Sequence, residues 1–155
     1  MDRKVWMLII VASLGYFVDI FDLILFNVIK YKSFAALGFS SELINNYEIS
    51  LFNYQMTGML LGGLVWGILG DKKGRISVLF GSILLYSVAN IANAFIHTFE
   101  EYALWRFIAG LGLAGELGAG ITLVTETMQK DKRGIGTMII VTFGAMGAVV
   151  ASVVG

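Results

Sequence analysis

The chain has 155 residues, 57% of them hydrophobic and only 14% charged, a balance that excludes an ordinary soluble domain and points to a bilayer as the solvent. Eleven acidic and eleven basic residues cancel, so no net positive charge is present to recruit a nucleic acid. Cysteine is absent and His97 is the single histidine, which leaves no disulfide, no thiolate site and no basis for a metal centre or other cofactor.

Five apolar runs follow in chain order, over about residues 5–29, 52–70, 76–96, 102–124 and 135–155. Each has the roughly 20 residues that a helix needs to cross about 30 Å of hydrocarbon. The predicted fold class is an all-α membrane protein with five transmembrane helices. The first run is too long for a cleaved signal peptide, contains Asp19 and Asp22, and lacks an A-x-A cleavage site, so it reads as retained.

Basic residues set the orientation. Arg3 and Lys4, then Lys72, Lys73 and Arg75, then Lys130, Lys132 and Arg133 fall on one side, and Lys30 and Lys32 on the other. The excess places the N-terminus and the second and fourth connections in the cytoplasm, with the acidic His97 to Glu101 turn outside. The connection from Lys30 to Ser50 is expected as a longer outer loop with some helix. The fifth run reaches Gly155 with no polar stop and leaves that end outside, so the chain reads as cut short.

Between the second and third runs, Asp71, Lys72, Lys73, Gly74 and Arg75 form a short basic connection. A tight reversal there favours Gly74 at positive φ. Asp71 is expected to cap the amide groups that open the third helix, while the bases hold the loop inside and meet acids or lipid phosphates.

Asp19, Asp22, Arg106 and Glu116 fall inside apolar runs. Each costs about 2.5 to 3.5 kcal/mol near a helix centre, so such residues are paired, hydrated or protonated and mark substrate or ion paths. Asp22 lies about 10 Å from the outer end of the first run and Arg106 about 6 Å from that of the fourth, depths at which they can be neighbours. Glu116 is about 15 Å deeper than Arg106 and turned some 80° away, toward the cytoplasmic half of a cavity. Asp19 and Asp22 are i, i+3 and share a helix face. Like charge and desolvation raise their affinity for protons and a nearby Arg106 lowers it, so movement of the arginine would load or release a proton.

Gly58 and Gly62, Gly63 and Gly67, then Gly110, Ala114 and Gly118, and Gly144, Gly147 and Ala151 form small-residue stripes that suit close helix packing. Trp6, Trp66 and Trp105 lie near run ends and read as interface anchors. Asn53, Asn90 and Asn93 read as hydrogen-bonding groups between helices.

The order Gly67-x-x-x-Asp71-Lys72-x-Gly74-Arg75 resembles the G-x-x-x-D-[RK]-x-G-[RK] signature between the second and third helices of the major facilitator superfamily. Glu126 followed by Arg133-Gly134 resembles the E...RG pattern that ends the fourth helix in its sugar-porter and metabolite:proton symporter branches. Arg106 to Glu116 is similar to the symporters' R-x-x-x-G-x-x-x-G-G-E run, with Ala114 in place of one glycine and without the proline of many sugar porters. Gly15-x-x-x-Asp19-x-Phe-Asp22 resembles the start of their first helix.

The resemblance implies a twelve-helix carrier of two six-helix halves, with this chain supplying five helices of the first half and a missing C-terminal half as partner. It implies Asp22 as proton acceptor, Arg106 as its switch, Asp19 and Glu116 on the substrate or proton path, and Gly67, Asp71, Lys72, Gly74, Arg75, Glu126 and Arg133 as a cytoplasmic gating motif. The partners are then protons, a small metabolite, anionic ones included, and the lipid bilayer. The place is the cell membrane, in the first instance the bacterial inner membrane. An exporter of the same superfamily, a non-transporting membrane scaffold and an oligomeric channel are the competing readings. No enzyme is expected, since there is no phosphate loop and no nucleophile paired with a base.

Overall fold

The computed structural model describes residues 3–36, 38 and 40–154, excepting the side chains of residues 29, 30, 31, 33 and 41; the Lys30 charge counted above and the final Gly155 therefore lie outside the described set. The chain forms α1 (Arg3–Ala36), α2 (Ser41–Lys73), α3 (Arg75–Asn93), α4 (Phe99–Thr127), a 3-10 turn (Lys130–Lys132) and α5 (Arg133–Val154), with no strand among the described residues. Among the described residues, four helical stretches are long and apolar enough to cross a membrane: Arg3–Val28, Arg75–Asn93, Phe99–Thr127 and Lys130–Val154. The remaining helix, α2, has ample length in its 33 residues. Asn53, Tyr54, Gln55 and Thr57 dilute the apolar run that was expected to cross there.

The expected outer loop between residues 30 and 50 is almost wholly helical, since α1 continues to Ala36 and α2 starts at Ser41. The reason is aromatic packing. Phe34 is buried between Tyr102 and Tyr47, with ring centroids 5.4 and 6.1 Å away, and Tyr47 stacks on Phe99 at 4.1 Å. Opening either helix end would expose this cluster together with Ile44 and Leu51. The acidic turn beyond α3 starts the next helix. Glu101 N–H donates to Thr98 Oγ1 at 3.3 Å, and a Glu101 carboxylate oxygen accepts from His97 N–H at 3.1 Å, a reciprocal cap for α4.

By compactness the chain divides into two units, residues 1–30 with 120–155, and residues 31–119. In the first, Ile9 on α1, Val124 and Met128 at the end of α4, and Ile140 on α5 form a buried cluster covered by Val5, Leu8, Ala12, Tyr16, Ile121 and Ile139. Gly144 lies against the Tyr16 ring and Gly147 against the Phe17 carbonyl, so pairings rise together along α1 and α5 and the two helices run in the same direction.

In the second unit, α4 packs between α2 and α3. Gly58 faces the Phe107 carbonyl and Gly62 faces Leu111, numbers that rise together, so α2 and α4 run in the same direction. Gly112 faces Tyr86 and Gly115 faces Ser82, numbers that run oppositely, so α3 is antiparallel to α4. Helices that crossed a membrane in succession would alternate in this way. Trp66, expected as an interface anchor, is instead half-buried: its indole N–H donates to the Leu111 carbonyl at 2.7 Å, and Gly115 leaves room for its ring.

Candidate functional site

The α2–α3 hairpin has the geometry its sequence requires at one residue and departs from it at another. Gly74 joins the two helices with φ +89°, a backbone that an L side chain strains to adopt. Its N–H donates to the Gly70 carbonyl at 3.1 Å, and its own carbonyl accepts from Val78 N–H at 3.3 Å.

Asp71 does not cap α3. It belongs to the last turn of α2, and Arg75 Nη2 meets its Oδ1 at 2.8 Å. Each partner alone has the wrong sign for its place, a carboxylate at a C-terminal helix end and a guanidinium at an N-terminal one, so each offsets the other's unfavourable field. The Arg75 guanidinium crosses over Gly70, where a Cβ would come within 2.8 Å of Nη1. Lys72 and Lys73 complete the turn with the sign that the end of α2 favours. Gly67 has nothing within 4 Å of a Cβ built on it, so no neighbour among the described residues requires its smallness.

At the other basic connection, Met128 N–H donates to Val124 C=O at 3.2 Å, and Arg133 Nε donates to Met128 C=O at 3.2 Å, so Arg133 covers a carbonyl just past the end of α4. Glu126 is exposed in the last turn of the same helix. Asp71 and Arg75 belong to the second unit, Glu126 and Arg133 to the first.

Among the described residues the buried polar side chains are Ser13, Asp19, Gln55, Ser82 and Arg106. Asp19 is 2% exposed on α1 and Arg106 is 5% exposed on α4, while Asp22 and Glu116 are half-buried. Asp19 is thus the deeper of the two α1 carboxylates, a ranking their shared spacing did not give. Asp19 and Asp22 lie in the first unit, Arg106 and Glu116 in the second. Charges so withdrawn from solvent within apolar helices persist only with compensation from partners, water or protons.

Gln55 was missed by the sequence reading; its place on the small-residue face of α2, three residues before Gly58, was the available signal. Ser13 was missed as well, and its Oγ is buried with no hydrogen-bond partner among the described residues. Asn93, read as an interhelical hydrogen-bonding group, likewise keeps both amide atoms buried without such a partner. Asn53 is exposed, and its carbonyl accepts from the Thr57 hydroxyl at 2.7 Å.

The small-residue stripes divide in the same way. Gly58, Gly62 and Gly110 admit another helix backbone, whereas Gly63 and Gly67 meet none among the described residues.

The family profile of the Major Facilitator Superfamily matches residues 12–155. The chain is 30% identical over 144 residues to a putative niacin/nicotinamide transporter of Bacillus subtilis, covering 93% of this chain and 35% of that protein. It is 38% identical over 97 residues to a niacin transporter of Acinetobacter baylyi, covering 63% and 22%. It is 27% identical over 158 residues to a benzoate transport protein of the same organism, covering 97% and 32%. The chain thus spans about a third or less of the length of these relatives.

Proposed function

This chain belongs to the Major Facilitator Superfamily, whose members are transporters and not enzymes, and from that premise we propose that it forms helices of a secondary carrier that moves a small anionic metabolite together with protons. It is a multi-pass membrane protein, and the bacterial inner membrane is its proposed location. Alternating access would come from rocking of helix bundles around a midplane site.

The observation that carries this reading is the burial of Asp19 and Arg106 in helices otherwise apolar enough to cross a bilayer. A packing role alone is met more cheaply by apolar residues, whereas a carrier needs groups that change charge inside the membrane. Asp22 is the proposed proton acceptor, Arg106 its switch, and Asp19 and Glu116 line the path of substrate or proton. An arginine that approaches a carboxylate lowers its proton affinity, and one that leaves raises it. The hairpin residues Gly67, Asp71, Lys72, Gly74 and Arg75, with Glu126 and Arg133, are proposed to fasten the cytoplasmic face.

Relatives named for niacin, benzoate and 3-(3-hydroxy-phenyl)propionate transport are named for molecules bearing a carboxyl group, and others are named for inorganic phosphate. This common chemistry supports an anionic substrate.

Asp22→Asn tests the proposal in proteoliposomes of the complete gene product. The amide cannot take up a proton, so accumulation driven by a pH gradient should disappear while substrate exchange across the membrane continues. Accumulation that persists in this variant would remove Asp22 from the coupling step.

A further inference from the structure

We propose that Gln55 is a positioning residue for Arg106: the packing of α2 on α4 sets the only buried polar side chain among the described residues of α2 beside the buried guanidinium, where its amide oxygen accepts a hydrogen bond from the arginine during part of the cycle. This inference rests on the reading of Arg106 as a switch.

Among the described residues of the unit 31–119, the buried polar side chains are Gln55, Ser82 and Arg106. Ser82 is satisfied within its own helix, since its Oγ donates to the Leu79 carbonyl at 3.0 Å. Gln55 is 4% exposed, and a long amide side chain so enclosed among apolar residues requires a polar neighbour.

The register identifies that neighbour. A Cβ built on Gly110 would run into the Gln55 carbonyl and come within 3.2 Å of the Met59 nitrogen, so the backbones of α2 and α4 are in direct contact at this level. The two helices run in the same direction, as the pairs Gly58 with Phe107 and Gly62 with Leu111 show. A helical carbonyl points toward the C-terminus and a side chain leans toward the N-terminus. The Gln55 carbonyl reaches Gly110, and its side chain therefore leans to the level one turn earlier on α4. Arg106 is the residue one turn before Gly110, about 6 Å along the axis and on the same face.

The charged groups in reach from this side are few. Between Leu51 and Gly70, α2 has no charged residue, and between Ile76 and Asn93 neither has α3, where Tyr86 is the titratable group on the face packed against α4. Tyr102, also buried, is one turn from Arg106 on α4 itself. Gln55 is thus an uncharged acceptor, on the helix packed against this face, for an arginine that has left a carboxylate. By competing for the guanidinium it favours the state in which the carboxylate holds a proton.

The complete gene product, purified and reconstituted, tests this in two ways. Gln55→Met keeps length and removes the acceptor, so the arginine stays longer on its carboxylate. The pH midpoint of uptake should then shift to the acid side, while Gln55→Asn, which keeps the amide, should restore part of the wild-type profile. In parallel, melting temperatures of Gln55→Met, Arg106→Met and the double variant form a cycle. Neighbours that interact give a double loss smaller than the sum, and independent sites give additive losses. Additive losses overturn the contact. An unmoved pH profile in Gln55→Met, with a wild type that responds to pH, overturns the positioning role alone. A flat wild-type profile overturns this proposal together with the proton-coupled reading beneath it.

Discussion

Gly58 and Gly110 press on one another's helices from opposite sides, and each would place a Cβ onto a backbone carbonyl of its neighbour, Phe107 and Gln55 respectively. A carbonyl fixed in a helix cannot rotate away as a side chain end can, so any added carbon must part α2 from α4. Gly110→Ala or Gly58→Ala should cost about 1 to 3 kcal/mol, the usual range for overpacking. Gly63→Ala provides the contrast, since nothing lies within 4 Å of its added carbon. There the better helix propensity of alanine should leave stability unchanged or raise it by up to about 1 kcal/mol. Melting of the purified variants checks both, and equal losses at Gly63 and Gly110 would show that smallness is required for something other than α2–α4 contact. The Asp71–Arg75 pair has a different standing. Asp71 is 71% exposed, and pairs so open to solvent contribute about 0 to 1 kcal/mol. Its importance would have to lie in which conformation it favours, not in overall stability.

For the α2–α3 hairpin the decisive residue is Gly74, with φ +89° and ψ 149°. Such a backbone is almost confined to glycine, and another residue held there costs about 1 to 3 kcal/mol. Gly74→Ala should therefore loosen the turn while the flanking helices remain. Trypsin added to the side bearing the loop should cleave faster after Lys72 and Lys73 in this variant, and unchanged cleavage would mean that the turn relaxes without opening. This turn was legible in advance because a glycine between two apolar runs has few other uses. The faces of the helices were less legible, and the reason is the solvent. In water the apolar stripe of a helix marks its core, but α3 buries Val78, Ser82, Tyr86 and Ala89 while exposing Ile76, Phe80, Leu84 and Ile91. Where lipid is the surroundings, large aliphatic residues face outward as readily as inward, and small residues mark the contacts. The glycine stripes therefore showed the α2–α4 and α1–α5 seams, whereas hydrophobicity alone gave no sign that Trp66 turns inward. The overhanging ends of α1 and α2 were hidden for another reason: they depend on Phe34, Tyr47, Phe99 and Tyr102 meeting from distant parts of the chain. The intramembrane charges of the candidate site were plain from hydropathy. Gln55 was not, because an amide on a diluted apolar run has no signature until the partner helix is known.

At the scale of the molecule, α2 is the helix whose crossing depends most on its partners. It is the least apolar of the long helices, with Asn53, Tyr54, Gln55 and Thr57 within the stretch expected inside the bilayer. Only Gln55 among them is buried, whereas Asn53, Tyr54 and Thr57 are exposed. A helix of this kind is stabilised in the membrane by its partners more than by lipid, and its contact with α4 supplies that partner through Gly58 and Gly62. Charge supplies the direction: Lys72, Lys73 and Arg75 at one end favour the cytoplasm, and Glu42 lies at the other. None of these 155 residues is cysteine, so no native thiol of this stretch competes with an introduced one. Asn45→Cys and Lys73→Cys place single thiols near the two ends of α2, at positions exposed in the structure, and Glu100→Cys and Gln129→Cys do the same for α4. A membrane-impermeant maleimide applied to intact cells should label residues 45 and 100 and spare 73 and 129, and inverted vesicles should give the reverse. If residues 45 and 73 label from the same side while 100 and 129 label from opposite sides, α2 enters and returns without crossing, and the parallel pairing of α2 with α4 must form outside the bilayer or not at all. If both pairs reverse together, the helices cross as expected but the basic loops do not set their direction.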